Sequence, residues 1–226
     1  RVSLMNTLSK TLGLLDDDIK QEEKLFRLCA DLGAKILTEI EAEFSWHYTE
    51  AELTAEEALK ADWRSWGEFG PRTVWAKHQG HTWFAAEITI PEAARGKCFA
   101  LLVTSQWQDR PGTTDPQCLA YLDGKTFQAI DGNHNVLVIE DNAVPGSKHT
   151  LLVNAFTFFD RPLVGFQVTP MLRHRRAEQL YYDLLTPLEV ATRLTQIDGR
   201  RHAVMNLVEQ SLRALDRRGV ITPEFE

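Results

Sequence analysis

The stretch CLAYLDGKTFQAIDGNHNVLVIE, residues 118–140, decides the fold class. It holds three short apolar or alternating runs, CLAYL, KTFQAI and NVLVIE, split by two Asp-Gly pairs. Asp and Gly both tolerate the positive φ of a type I′ turn. Asp123-Gly124 therefore predicts a two-residue hairpin between the first two runs. One hairpin needs one such turn. The second pair, Asp131-Gly132, leads into Asn133 and His134, which makes Asp131, Asn133 and His134 candidate site residues. The plainer reading is that they tie a turn, since Asp and Asn side chains bond nearby backbone.

The same texture extends on both sides. RTVWAKH, TWFAAEITI, KCFALLVTS, HTLLVNAFT and LVGFQVT are further runs rich in Val, Ile, Thr and aromatics, bounded by Gly, Pro, Asp and Asn. With the three above they predict about eight short strands over residues 61–172. No helical period lies between them. The expected fold is mainly β, an antiparallel β-sandwich or jelly roll of the galactose-binding-domain-like kind, with flanking helices.

The ends are helical. Leu25, Leu28, Leu32, Ile36, Ile40 and Phe44 recur at three- and four-residue steps and predict one long apolar helix face in residues 1–60. Asp16–Asp18 would stand at its N-terminus, where negative charge suits the helix dipole. Thr54 with Glu57 reads as a capping box over TAEEALKA. In residues 173–226, one stripe runs through Leu180, Leu184, Leu188 and Ala191. A second runs through Val204, Leu207, Val208, Ser211, Leu212 and Leu215, with Gly199 in the break. A helical hairpin follows. Thr186-Pro187 reads as a fresh N-cap with Pro at the first helical position, which predicts a kink or break there.

The formal net charge of -7 argues against nucleic acid as a partner. No apolar run is long enough to span a membrane as a helix. Cys29, Cys98 and Cys118 are sparse and odd in number, which fits neither a disulfide framework nor a zinc site. Free thiols suit a reducing compartment, and the expected location is cytoplasmic.

No phosphate-binding glycine loop and no nucleophile elbow occurs. His78 and His81 flank Gly80 in an expected loop without a third ligand at metal spacing, so a surface turn is the preferred reading. Glu39 and Glu43 would share a helix face as solvated like charges. Five of the six tryptophans fall between Trp63 and Trp107. Trp75 and Trp83 read as core filler. Trp107, in the loop SQWQDRPGTTDPQ, is the one expected to stand exposed for a sugar ring.

The order of pieces resembles a known family. FGPRTVWAKHQGHTWFAAEITIPEAARGKCFALLVTS, AYLDGKTFQAIDGNHNVLVI, HTLLVNAFT and the leucine-rich EQLYYDLLTPLEVATRL and VMNLVEQSLRAL look like the N-terminal region of glycoside hydrolase family 38 α-mannosidases. The branch is similar to the cytosolic and bacterial class II C type. The likeness runs from about residue 60 to 217. It implies a non-catalytic β-sandwich with flanking helices, preceding a barrel that holds zinc and hydrolyses terminal α-mannosides with retention. The family's His-Ile-Asp zinc phrase does not occur, so no catalytic or metal residue carries over and no cofactor is expected in this chain. Implied partners are the parent's own C-terminal catalytic domain and an α-mannoside. The apolar first helix is the expected element of a homo-oligomer. Asp131, Asn133 and His134 would face the catalytic domain. Two alternatives remain: a free-standing carbohydrate-binding sandwich using Trp107, and a structural or oligomerisation module.

Overall fold

The computed structural model describes residues 19–76, 79–105, 116–158, 163–195 and 198–215. Asp16–Asp18, His78 and Trp107 lie outside them. Contacts divide the chain into two compact units. One is Glu39–Arg173, and the other joins the residues before Glu39 to those after Arg173, so that the boundary falls within the first strand.

The first unit is the expected antiparallel β-sandwich. Its strands are β1 (Leu37–Glu39), β2 (Trp46–Thr49), β3 (Gly67–Phe69), β4 (Val74–Trp75), β5 (Gly80–Thr89), β6 (Phe99–Thr104), β7 (Gln117–Leu122), β8 (Lys125–Ile130), β9 (Val136–Glu140), β10 (Lys148–Thr157), β11 (Leu163–Val164) and β12 (Gln167–Arg173). One sheet has the order β3-β2-β5-β10-β7-β8, and the other β1-β12-β6-β9. A two-stranded β11-β4 ribbon accompanies them.

Period-two alternation sorts the side chains. Phe84, Ala86 and Ile88 of β5, Cys118 and Ala120 of β7, and Leu151, Val153 and Ala155 of β10 turn inward. They meet Phe99, Leu101 and Val103 of β6 and Leu137 and Ile139 of β9 in one buried core. Phe84 stacks on Phe166 with ring centroids 4.1 Å apart, and Trp75 meets Phe84 edge-on at 5.0 Å.

The predicted hairpin forms. Asp123 and Gly124 have φ of 51° and 78°, which joins β7 to β8 through two left-handed residues. The register slips between Ala120 and Tyr121, so Phe127 is the extra residue of a β-bulge.

The long first helix differs from expectation. The helix α1 (19–33) ends after about half of the predicted stripe. Ile40 and Phe44 pack instead against the sandwich core, as does Trp46 of β2. A spacing of four is a multiple of the strand period and close to the helical one, so Ile36, Ile40 and Phe44 satisfied both readings. Residues 39–60 thus fold with the sandwich, and Glu39 and Glu43 share no helix face. The helix α2 (Ala55–Lys60) carries the full capping box, with the Glu57 N–H donating to the Thr54 hydroxyl and the Thr54 N–H to the Glu57 carboxylate.

The second unit is helical. Leu25, Cys29 and Leu32 of α1 are buried with Leu184, Leu188 and Ala191 of α3 (Arg175–Thr192) and Met205, Val208 and Leu212 of α4 (Gly199–Ala214). The α1 face expected to serve an oligomer is therefore occupied inside the chain's own unit. Pro187 does not break α3, which runs through it. Pro inside a helix costs about 3 kcal/mol. Burying Leu184 and Leu188 on either side returns about 1.5–3 kcal/mol each.

The inward stripe of α4 is Arg201, Met205, Val208 and Leu212, while Leu207 is 63% exposed. Arg201 is buried. It donates from Nη1 to the Ala191 carbonyl at 3.1 Å and pairs through Nη2 with Glu22. A cation on the last carbonyls of α3 also suits that helix's dipole.

Candidate functional site

Asp131, Asn133 and His134 come together in the crossing from β8, in one sheet, to β9, in the other. Asp131 Oδ1 accepts the N–H of Asn133 at 2.7 Å and of His134 at 2.8 Å. The imidazole Nδ1 of His134 lies 3.0 Å from the same oxygen. Gln128 closes the loop from β8 by donating to the carbonyls of His134 and Val136. The hydrogen bond from Asn133, then those from His134, holds the Asp131 carboxyl below its ordinary range. All three residues are exposed. The carboxylate's lone pairs are thus largely engaged by its own turn, and the exposed imidazole and carboxamide remain available for an outside contact.

A second polar cluster has no signature in the sequence. His149 of β10 stands between Asp123, in the β7–β8 turn, and Glu140, on β9. Nδ1 lies 2.7 Å from Asp123 Oδ2, and Nε2 2.8 Å from Glu140 Oε1. Asp123 also accepts the Thr150 N–H, and Glu140 accepts the Ser147 hydroxyl and the Val144 N–H. Burial works against charging the ring, but the hydrogen bonds and charges of the two carboxylates outweigh it. The His149 pKa is raised, and both carboxyl pKa values are lowered against the same burial. This clamp ties one sheet to the other. Nothing in the spacing of positions 123, 140 and 149 announces it, because Glu140 reaches the other two only from the opposite sheet.

The tryptophans divide as expected where they are described. Trp75 and Trp83 are 0% and 2% exposed. Trp83 belongs to a smaller core on the outer face of the six-stranded sheet, with Ala85, Tyr121, Leu152, Ala58 and Trp63. Gly80 and His81, read as a loop, begin β5. His81 Nδ1 lies 3.0 Å from Asn154 Oδ1.

No group of three His, Cys, Asp or Glu able to hold a metal occurs among the described residues. The described residues therefore do not fit a zinc site. The three cysteines are free and buried. No helix among the described residues is long and apolar enough to cross a membrane.

No family model matches the chain, and no curated protein matches it. Similar solved structures include the β-glucuronidase of Ruminococcus gnavus in complex with uronic isofagomine. Its TM-score is 0.42 at 13% identity, over 61% of this chain and 28% of that one. The same enzyme in complex with D-glucuronic acid gives 0.40 at 12%, over 61% and 29%. The chain spans under a third of the length of these structures.

Proposed function

We propose that this chain is the non-catalytic sandwich region of a glycosidase, and that the parent is an α-mannosidase acting on terminal α-mannosides. The observation that carries the reading is the order of parts. A two-sheet sandwich bears the phrase DGKTFQAIDGNH as a hairpin followed by a side-chain-tied crossing. Two leucine-striped helices follow it in the chain. That is the succession in which the resembling α-mannosidase region is built. Zinc and the nucleophile belong, in this reading, to the parent's catalytic domain and to no residue of this chain. A retaining glycosidase needs two carboxyl groups about 5–5.5 Å apart across the scissile bond, and this reading places both in the barrel.

Asp131, Asn133 and His134 face that domain in the proposed parent, with Trp107 on the substrate side. Asp131 sets the turn, while Asn133 and His134 offer polar groups outward. The cytoplasm is the proposed location, supported by the three free thiols. A homo-oligomer is a further proposal, through a surface other than the buried face of α1.

The test compares this chain with its full-length parent on an aryl α-mannoside, with and without added zinc. Activity is expected in the parent alone. A parent without α-mannosidase activity overturns the substrate assignment, and activity in this chain overturns the non-catalytic one. In an active parent, His134→Ala is expected to raise KM or loosen the packing between domains, read by limited proteolysis. No change in either removes the assignment of this face.

A further inference from the structure

The outer face of the six-stranded sheet carries a feature that the function proposed above does not use. Trp83, Leu119, Tyr121, Leu152 and Asn154 share that face, since they alternate with the inward residues of β5, β7 and β10. Residues 53–66 cover it with Leu53, Ala55, Ala58, Leu59, Trp63 and Trp66. At the start of that cover a cleft of about 320 Å³ remains, lined in part by Glu52, His81, Trp83, Tyr121 and Asn154. Small-molecule sites begin at about 300 Å³.

Asn154 is out of place for a structural role. It sits directly between Trp83 and Leu119 in the paired strands, at the border of the apolar patch on that face. Its Oδ1 is held by His81, but its Nδ2 is buried without a partner, and so is Nε1 of Trp83 beside it. Buried donors are nearly always satisfied, so two together at one cleft require an explanation. Trp75 Nε1 is also without a partner, inside the main core, so an orphan indole alone marks nothing. What sets Trp83 apart is the company of Asn154, the cleft and an acceptor.

That acceptor is Glu52, which is exposed at the rim. Its Oε1 takes the His81 N–H at 3.2 Å and keeps lone pairs free. Gly80 makes the approach possible. Its φ is +147°, and a Cβ there would overlap the Glu52 carboxylate. The floor is aromatic, with Trp83 and Tyr121 ring centroids 5.8 Å apart and tilted by 36°.

We propose that this cleft binds a single neutral pyranose ring, with Trp83 and Asn154 donating to its oxygens and Glu52 accepting from its hydroxyls. The chemistry selects the class. The carboxylate at the rim repels an anion, and the two orphan N–H groups offer a cation nothing. A ring with hydroxyls at its edge and C–H groups on its face meets the donors, the acceptor and the aromatic floor together. Both orphan atoms belong to side chains that line the cleft, and both are buried. Binding therefore requires a small side-chain adjustment at the cleft, of a kind common at binding sites, which keeps affinity in the millimolar range. The site requires no catalytic domain, so it stands or falls separately from the function proposed above.

The experiment is a titration of this full chain, followed by ¹H–¹⁵N correlation spectra. The probes are methyl α-D-mannopyranoside, methyl α-D-glucopyranoside, sodium glucuronate and glycerol. A saturable shift is expected for the Trp83 indole N–H, identified by its loss in Trp83→Phe, and for the Asn154 side-chain amide. At least one methyl glycoside produces it at millimolar concentration, and glucuronate and glycerol do not. Glu52→Gln keeps the backbone spectrum and weakens binding about tenfold, the loss of one charge-assisted hydrogen bond. No saturable shift with either methyl glycoside overturns the site. Equal shifts with glycerol, or an unchanged affinity in Glu52→Gln, overturn it too. Binding of glucuronate as tight as that of the neutral glycosides overturns the choice of a neutral ligand.

Discussion

The sandwich and the helical unit solve the same burial problem with different materials. In the sandwich, the inward positions of β5, β6, β7, β9 and β10 are apolar, and the charged groups that hold it stand at its edge, as in the His149 clamp. In the helical unit, the buried Arg201 guanidinium lies against the Ala191 carbonyl and Glu22. A sheet face alternates strictly, so a charge on the inward register would meet the opposite sheet. A helix tolerates one inward Arg because a neighbouring helix end presents free carbonyls, here that of Ala191. The units therefore fail differently: one by losing a cavity's worth of packing, the other by stranding a charge.

The largest expected effect is on Arg201. Arg201→Ala leaves Glu22 without its partner and the Ala191 carbonyl without its donor. Breaking such a pair costs about 3–5 kcal/mol. Hydrogen exchange should lose protection in α1, α3 and α4 before the strands of the sandwich. Uniform loss across both units would erase the contrast between them.

The clamp sharpens the comparison from the other side. The raised His149 pKa contributes stability that is full below the ordinary histidine value, about 6.5, and is lost as pH rises through the folded value. The lowered Asp123 and Glu140 pKa values contribute stability present above the ordinary carboxyl range, about 4, and lost as pH falls through the folded values. His149→Gln is therefore expected to cost about 2 kcal/mol between these limits. The difference from wild type should shrink on both sides of that window. Denaturant melts at several pH values measure this, and a pH-independent difference would show that the ring acts by packing alone.

The smallest effect belongs to the hairpin. Gly124 has a φ of +78° with nothing within 4 Å of an added Cβ. Gly124→Ala should then cost about 1 kcal/mol through backbone strain only. A loss several times larger would mean that the turn, rather than the inward apolar alternation, fixes the register of β7 and β8.

Much of this fold was legible because local chemistry and tertiary environment agreed. Asp123-Gly124 is a turn by backbone sterics alone, and the Thr54-Glu57 box is closed within four residues. Legibility stopped where two periods coincide. Ile36, Ile40 and Phe44 fit a helix and a strand equally, and only the tertiary structure shows that Ile40 and Phe44 pack against the sandwich core. It stopped again where a residue's type contradicts its place. A charge reads as outward and Leu207 as inward, yet the buried stripe is 201, 205, 208 and 212, which keeps a regular helical spacing. Pro187 signalled a break that burial on both sides of it overrides.

At the candidate site the division is similar. The Asp131 turn was readable, since an Asp two residues before Asn reaches backbone N–H groups without help from the rest of the chain. The cleft residues Glu52, His81, Trp83, Tyr121 and Asn154 were not, for they are spread over a hundred positions and share no motif. By itself the sequence determined the local elements whose causes lie within a turn of chain: the Asp-Gly hairpin, the capped helix, the alternating strands and the Asx-bonded crossing. Tertiary structure alone decided which strands pair, which charge is buried, and which polar groups meet across β5, β7 and β10. Those outcomes depend on partners brought together by nonlocal burial, which no single window of sequence contains.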